Sequence, residues 1–293
     1  MKVLVAGGEG QLGSVLTTEL LVAGFDVLSL GSRDLDISNP LTVSNLADLE
    51  IDFIINTAAY TAVDLAESEL DQAYAVNQLG VENLVRLAKK LAVPLVNIST
   101  DFVFDGASTT AYLESDDRLP INAYGKSKLA GEVSLESADI EFINLRTSWV
   151  FGENGTNFVK TMLRLAKTHN EISVVSDQLG CPTYSRDIAV ALVHIAKEYR
   201  DKSRFESGHY HFCGDVSVSW YGFAEQIFSQ SAELGIIDSV PALKPISTAE
   251  YPVPASRPAN SVLNCQKIKE VYGLSPSDWR LGLSKVLKSF SQV

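Results

Sequence analysis

Positive charge is in short supply in this sequence. It has 24 Lys and Arg against 36 Asp and Glu, a net charge of −12. Binding a nucleic-acid backbone needs clustered cations, so that class of partner is excluded. An anionic ligand must find a local pocket of backbone amides and a few basic groups. Cysteine is scarce: Cys181, Cys213 and Cys265 are odd in number and far apart, with no C-x-x-C spacing. That excludes a zinc ribbon or a dithiol motif and predicts the reduced thiols of a cytoplasmic protein. Of the 4 histidines, His209 and His211 fall on one side of a predicted strand without acids or thiols at ligand spacing. They read as structural, and no metal is expected. No apolar run reaches the length of a membrane span, so no membrane partner is expected. The short run after Met1-Lys2 meets glycines before it could form a signal-peptide core. No repeat or low-complexity tract is visible. The 293 residues, 46% hydrophobic, suffice for one large domain or a domain with a smaller lobe.

The N-terminal half alternates strands and helices. Lys2 to Ala6 is a continuous apolar run, the mark of a buried parallel strand. Gly7, Gly10 and Gly13 follow as G-x-x-G-x-x-G and open a helix through Leu16, Leu20 and Leu21. Glycines there let the backbone turn tightly and approach a pyrophosphate seated on amides at the helix N-terminus. The second strand, Phe25 to Leu30, ends in Leu30-Gly31 rather than in an acid, with Ser32 and Arg33 next. A hydroxyl and a guanidinium suit a 2′-phosphate and favour NADP(H), with NAD(H) as the alternative; the other reading of Arg33 is a solvated loop residue. Asp36 and Ile37 could border the adenine by position. Asp52 to Thr57 is a strand ending in Ala58-Ala59-Tyr60-Thr61, whose small residues leave room for a ligand. A helix from about Ser68 to Leu91 carries Asn77, either a buried polar brace or a surface residue. Val93 to Ile98 is a strand leading into Ser99-Thr100-Asp101. This alternation predicts an α/β fold with a doubly wound, Rossmann-type parallel sheet.

Tyr124 and Lys128 then stand four residues apart at the start of a predicted helix. Positions i and i+4 share a helix face, so both side chains can enter one site. There the ammonium is expected to lower the phenol's pKa and fit it for proton transfer.

In the C-terminal half, Phe142 to Leu145 is a strand and Asn157 to Lys167 a helix. Ile172 to Val175 is a short strand, Asp187 to Tyr199 a helix, and Gly208 to Cys213 a further strand of the main sheet. Trp220 to Leu234 is a helix whose aromatics read as core. Pro241 to Pro258 is proline-rich and reads as an ordered loop that aims Arg257. The expected division is a cofactor-binding part over 1–150, with returning segments near 183–214, and a mainly substrate-binding lobe over 151–293.

Several longer motifs go beyond the glycine turn. They include Thr61-Ala62-Val63-Asp64, Ser99-Thr100-Asp101-Phe102-Val103-Phe104-Asp105-Gly106 and Tyr124-Gly125-Lys126-Ser127-Lys128-Leu129-Ala130-Gly131-Glu132. Arg146-Thr147-Ser148-Trp149-Val150-Phe151 and Pro254-Ala255-Ser256-Arg257-Pro258 continue the set. By these residues the chain resembles the dTDP-4-dehydrorhamnose reductase family, within the extended short-chain dehydrogenase/reductases. The resemblance implies reduction of dTDP-4-dehydro-L-rhamnose to dTDP-L-rhamnose with NADPH or NADH. It implies that Tyr124 is the proton donor, Lys128 its partner and ribose anchor, and Thr100 the hydroxyl on the substrate carbonyl. Gly7, Gly10, Gln11, Leu12 and Gly13 would form the pyrophosphate turn, and Ala59, Tyr60, Thr61 and Ile98 would flank the cofactor. Thr100, Asp101 and Trp149 would meet the sugar nucleotide, with Asn157, Arg257 and Asn260 as further candidates.

There are departures from the family pattern. Phe102 replaces a usual Tyr, which removes one substrate hydrogen bond. Ser14 and Val15 follow the glycine turn where some members carry a metal-binding Glu used in dimerisation, so a monomer or a homodimer is left open. The alternatives are a reductase or epimerase of another nucleotide sugar, and a catalytically silent NADP-binding subunit like that of methionine adenosyltransferase.

Overall fold

The computed structural model describes residues 1–291. The first half supplies five strands: β1 (Lys2–Ala6), β2 (Asp26–Leu30), β3 (Phe53–Asn56), β4 (Leu95–Thr100) and β5 (Phe142–Thr147). Later come β6 (Val150–Phe151), β7 (Glu171–Val175), β8 (Leu179–Gly180), β9 (Thr183–Tyr184), β10 (Gly208–His211), β11 (Val218–Ser219) and β12 (Ala242–Ile246). β10 returns to the main sheet, a six-stranded array in the order β10-β5-β4-β3-β1-β2. Every pairing in it is parallel. The order reverses at β1, and at such a point an open sheet leaves a crevice beyond its carboxyl ends.

The helices follow the predicted alternation. They are α1 (Gln11–Val22), α2 (Pro40–Ser44), α3 (Leu70–Tyr74), α4 (Gly80–Leu91), α5 (Ala123–Glu136), α6 (Phe158–Ala166), α7 (Ser185–Lys202), α8 (Trp220–Glu233), α9 (Gln266–Tyr272) and α10 (Trp279–Phe290). A π turn over Ala75–Leu79 joins α3 to α4. β1 and β3 are buried because apolar side chains cover both faces: Val3 and Val5 meet Leu16, Leu20, Ile188 and Leu192 on one side. Leu4 and Ala6 meet Leu84, Leu87 and Leu95 on the other.

A row of buried amides crosses the sheet. Asn56 Nδ2 donates to Asn97 Oδ1 (2.8 Å), and Asn97 Nδ2 donates to Asn144 Oδ1 (2.9 Å). Asn144 Nδ2 then donates to His209 Nδ1 (3.0 Å). These residues pair directly in the ladder. A one-residue slip would strand all four polar groups in the core, so the row holds the register.

A separate cluster of Phe151, Met162, Ile172, Phe223, Phe228, Trp279 and Leu283 forms the core under the later chain. One feature differs from the sequence reading. The stretch expected as loop contains β12, which pairs in parallel with β7 despite Pro245; a two-stranded ribbon leaves an edge that tolerates a missing donor. The three cysteines, distant in sequence, are all buried, and the Cys213 and Cys265 sulfurs lie 3.6 Å apart.

Candidate active site

The glycine turn is stitched to the end of β2, because the amides of Gly7 and Gly8 both donate to the Leu30 carbonyl (2.9 Å each). Gly7 sits at φ +82°, and a β-carbon there would lie 2.5 Å from the Ala58 nitrogen, so only glycine fits. The first turn of α1 has no side-chain cap and no acidic residue. Its amides, at Gln11 and Leu12, are therefore left for an anion, which fits the pyrophosphate of a dinucleotide. The Gln11 side chain turns aside: Nε2 donates to the Val150 carbonyl (3.1 Å) and Oε1 accepts from Asn157 Nδ2 (2.9 Å). Ser32 and Arg33 are exposed beyond β2. Asp36 accepts from the Ser38 amide (3.0 Å), and Ile37 is buried where a β-carbon on Gly80 would collide with it. Asn77 is a buried brace: Oδ1 accepts from the Tyr60 amide (2.9 Å), while Nδ2 donates to the Tyr60 carbonyl (3.0 Å) and to Ser127 Oγ (2.9 Å). It fixes the backbone of Ala59-Tyr60-Thr61 at the crevice.

Thr100 ends β4, and Tyr124 and Lys128 lie on the buried face of α5, whose N-terminus Asn122 caps through the Gly125 amide (2.8 Å). The Thr100 hydroxyl donates to Asp101 Oδ1 (3.0 Å). Burial raises the Tyr124 phenol to about 12, with the Thr100 hydroxyl acting to lower it and the Asp101 charge to raise it. The expectation that Lys128 lowers this pKa is not met: burial dominates, and the Lys128 ammonium donates to the Ile98 carbonyl at 2.6 Å. Burial brings Lys128 down to about 8, against the opposing charge of Glu132. Burial likewise lifts Asp101 to about 6, with hydrogen bonds from Ser261 and Thr100 acting in the lowering direction.

Beneath this group Glu132 continues the helix face one turn beyond Lys128. It is fully buried, and Arg146 grips it through two bonds, Nε to Oε1 (2.9 Å) and Nη2 to Oε2 (2.7 Å). Ser99 donates to Oε1 (2.5 Å) and Arg118 to Oε2 (3.3 Å). Burial pushes this carboxyl up, but Arg146 and Ser99 outweigh it and hold it at about 2. His211 is neutral, pushed down to about 3 by burial and by Arg146. No group of three or more His, Cys, Asp or Glu is placed to hold a metal among the described residues.

Beside the phenol lies a cavity of about 350 Å³. Trp149, Trp220, Phe158, Phe102, Asp64 and Arg257 are among its lining residues. Thr100 and Tyr124 do not line it; Phe102 does, and packs edge-on against the Tyr124 ring at 5.7 Å. Trp149 and Trp220 stack at 3.4 Å between centroids and 6° between planes. Trp149 takes φ +45°, a conformation costly for a bulky residue and typical of functional positions.

The sequence reading took Trp220 as core, but it lines the cavity. The signal it lacked was Trp149, 71 positions earlier in the chain. Arg257 is not a free cation, because Nη2 pairs with Asp64 Oδ2 at 2.8 Å. Asn157 and Asn260, offered as substrate contacts, do not line the cavity. Asn157 caps α6 and donates to Gln11 and to the Gly152 carbonyl. Asn260 donates to the carbonyls of Ser108 and Thr110.

The chain matches the family described as RmlD substrate binding domain over residues 1–292. It is 45% identical over 287 residues to dTDP-4-dehydrorhamnose reductase of Aggregatibacter actinomycetemcomitans, covering 97% of this chain and 98% of that one. A crystal structure of a dTDP-4-dehydrorhamnose reductase from Clostridium acetobutylicum superposes with a TM-score of 0.92 at 36% identity over the whole of both chains. That of the Bacillus anthracis enzyme, solved in complex with NADP, gives 0.90 at 36%, covering 98% of this chain and 99% of that one. A glycine turn that fits a dinucleotide, Thr100 at the end of β4 with Tyr124 and Lys128 on the buried face of α5, and likeness along nearly the whole chain agree: it belongs to the dTDP-4-dehydrorhamnose reductase family.

Proposed function

We propose that the protein reduces dTDP-4-dehydro-L-rhamnose to dTDP-L-rhamnose with a reduced nicotinamide dinucleotide. The observation that carries this reading is the placing of Tyr124 and Lys128 one turn apart on the buried face of α5, which packs against the strand β4 that ends in Thr100. The bound coenzyme supplies the hydride. Tyr124, held at about 12, keeps its proton at neutral pH and is in the donor form. It delivers that proton to the oxygen at C4 of the sugar as negative charge develops there. Thr100 holds the same oxygen, and Lys128, largely charged below its pKa of about 8, stabilises the phenolate left behind. Asp101 accepts from a hydroxyl of the sugar, and the aromatic cavity takes the thymidine end. The residues over 1–150, with 183–214 returned to them, serve the cofactor, and the later chain mainly the substrate. A cytoplasmic site of action and a monomer or homodimer complete the reading.

The test is coenzyme oxidation followed by absorbance, with dTDP-4-dehydro-L-rhamnose and each nicotinamide in turn. Turnover with this sugar and none with other nucleotide ketosugars is the expected result. Coenzyme binding without reduction of any ketosugar would overturn the proposal in favour of a silent subunit.

A further inference from the structure

Dinucleotide folds carry an acid at the end of the second strand, about twenty residues after the glycine turn, where it accepts from the adenosine ribose. Here β2 ends in Leu30 and Gly31, with no acid. The turn itself carries one, Glu9, exposed at the tip. A β-carbon on Gly31 would lie 2.4 Å from both Cδ and Oε2 of Glu9, so the carboxylate lies against the Gly31 α-carbon. Gly31 is buried and lies outside the left-handed region, so its missing side chain serves this approach rather than a turn. The two bonds from Gly7 and Gly8 to the Leu30 carbonyl hold the turn in that position.

We infer that Glu9 sets coenzyme choice, supplying from the glycine turn the ribose-binding carboxylate that β2 lacks and opposing the 2′-phosphate that Arg33 would attract. This rests on the crevice being a dinucleotide site. A carboxylate accepts from the 2′-hydroxyl of NADH, whereas a 2′-phosphate beside it adds like charge. Glu9 and Arg33 thus act in opposite senses, and the wild-type chain binds both coenzymes.

The test is direct binding of NADH and NADPH without sugar, by calorimetry, to wild type, Glu9→Gln and Arg33→Ala. Glu9→Gln is expected to weaken NADH, strengthen NADPH and move the ratio of their Kd values roughly tenfold toward NADPH. Arg33→Ala should move it the other way. The Glu9 effect should shrink at high salt, because the residue is exposed. A ratio unchanged in Glu9→Gln while both coenzymes still bind overturns this inference alone. Failure of the wild type to bind either coenzyme overturns the cofactor reading as well.

Discussion

The two walls of the crevice are made from different chemistry. The wall formed by the ends of β4 and β5 and by α5 is polar and closed to water. Thr100, Asp101, Lys128, Glu132 and Arg146 are each no more than 5% exposed there. The wall drawn from the later chain is aromatic and open, with Trp149 stacked on Trp220 around a cavity. Glu132 is held there by two bonds from Arg146 and one from Ser99, while Asp101 Oδ2 is buried without a partner, so this wall keeps a fixed polar base and is suited to orienting a proton. Flat aromatic surface gives contact area with little demand on geometry, so the second is suited to binding. Substitutions in the first wall should therefore act on kcat or on folding, and those in the second on KM.

Lys128→Met should give the largest effect, a fall in kcat of about two to four orders of magnitude with KM little changed; steady-state kinetics checks it, and an equal change in both constants would blur the two walls. Glu132→Gln removes one side of a buried pair and leaves Arg146 uncompensated. It should cost about 3–5 kcal/mol of stability, read by denaturant unfolding. The wild type should lose part of that stability in acid. The folded Glu132 carboxyl lies at about 2 against an ordinary 4.5, so its contribution is complete above 4.5 and is lost as pH falls toward 2. The midpoint of urea unfolding measured across that range should fall more steeply in wild type than in Glu132→Gln. Smallest is Trp220→Ala, expected to raise KM roughly tenfold with kcat nearly unchanged. A loss confined to kcat would put Trp220 with the other wall.

What the sequence revealed follows the same division. The strands of the main sheet, the glycine turn and the placing of Tyr124 and Lys128 on one helix face were legible, because each depends on neighbours within a few positions. Asn77 was recognised as a candidate brace, and its bond to Ser127 spans 50 positions. Trp220 was misread, because its stacking partner lies across the chain and its own helix has ordinary core periodicity. The pairing of Arg257 was not legible, because Asp64, its partner, stands 193 positions away. The lowered phenol pKa failed for a different reason. Spacing places a charge on the right helix face but says nothing of how deeply the phenol is buried, and burial is the larger influence on Tyr124.

The most direct measurement is turnover of purified Tyr124→Phe with dTDP-4-dehydro-L-rhamnose and NADPH, alongside calorimetric binding of NADPH to the same protein. Coenzyme binding close to wild type with kcat reduced by about two to four orders of magnitude is the predicted result. Turnover near that of wild type would contradict the assignment of Tyr124 as proton donor.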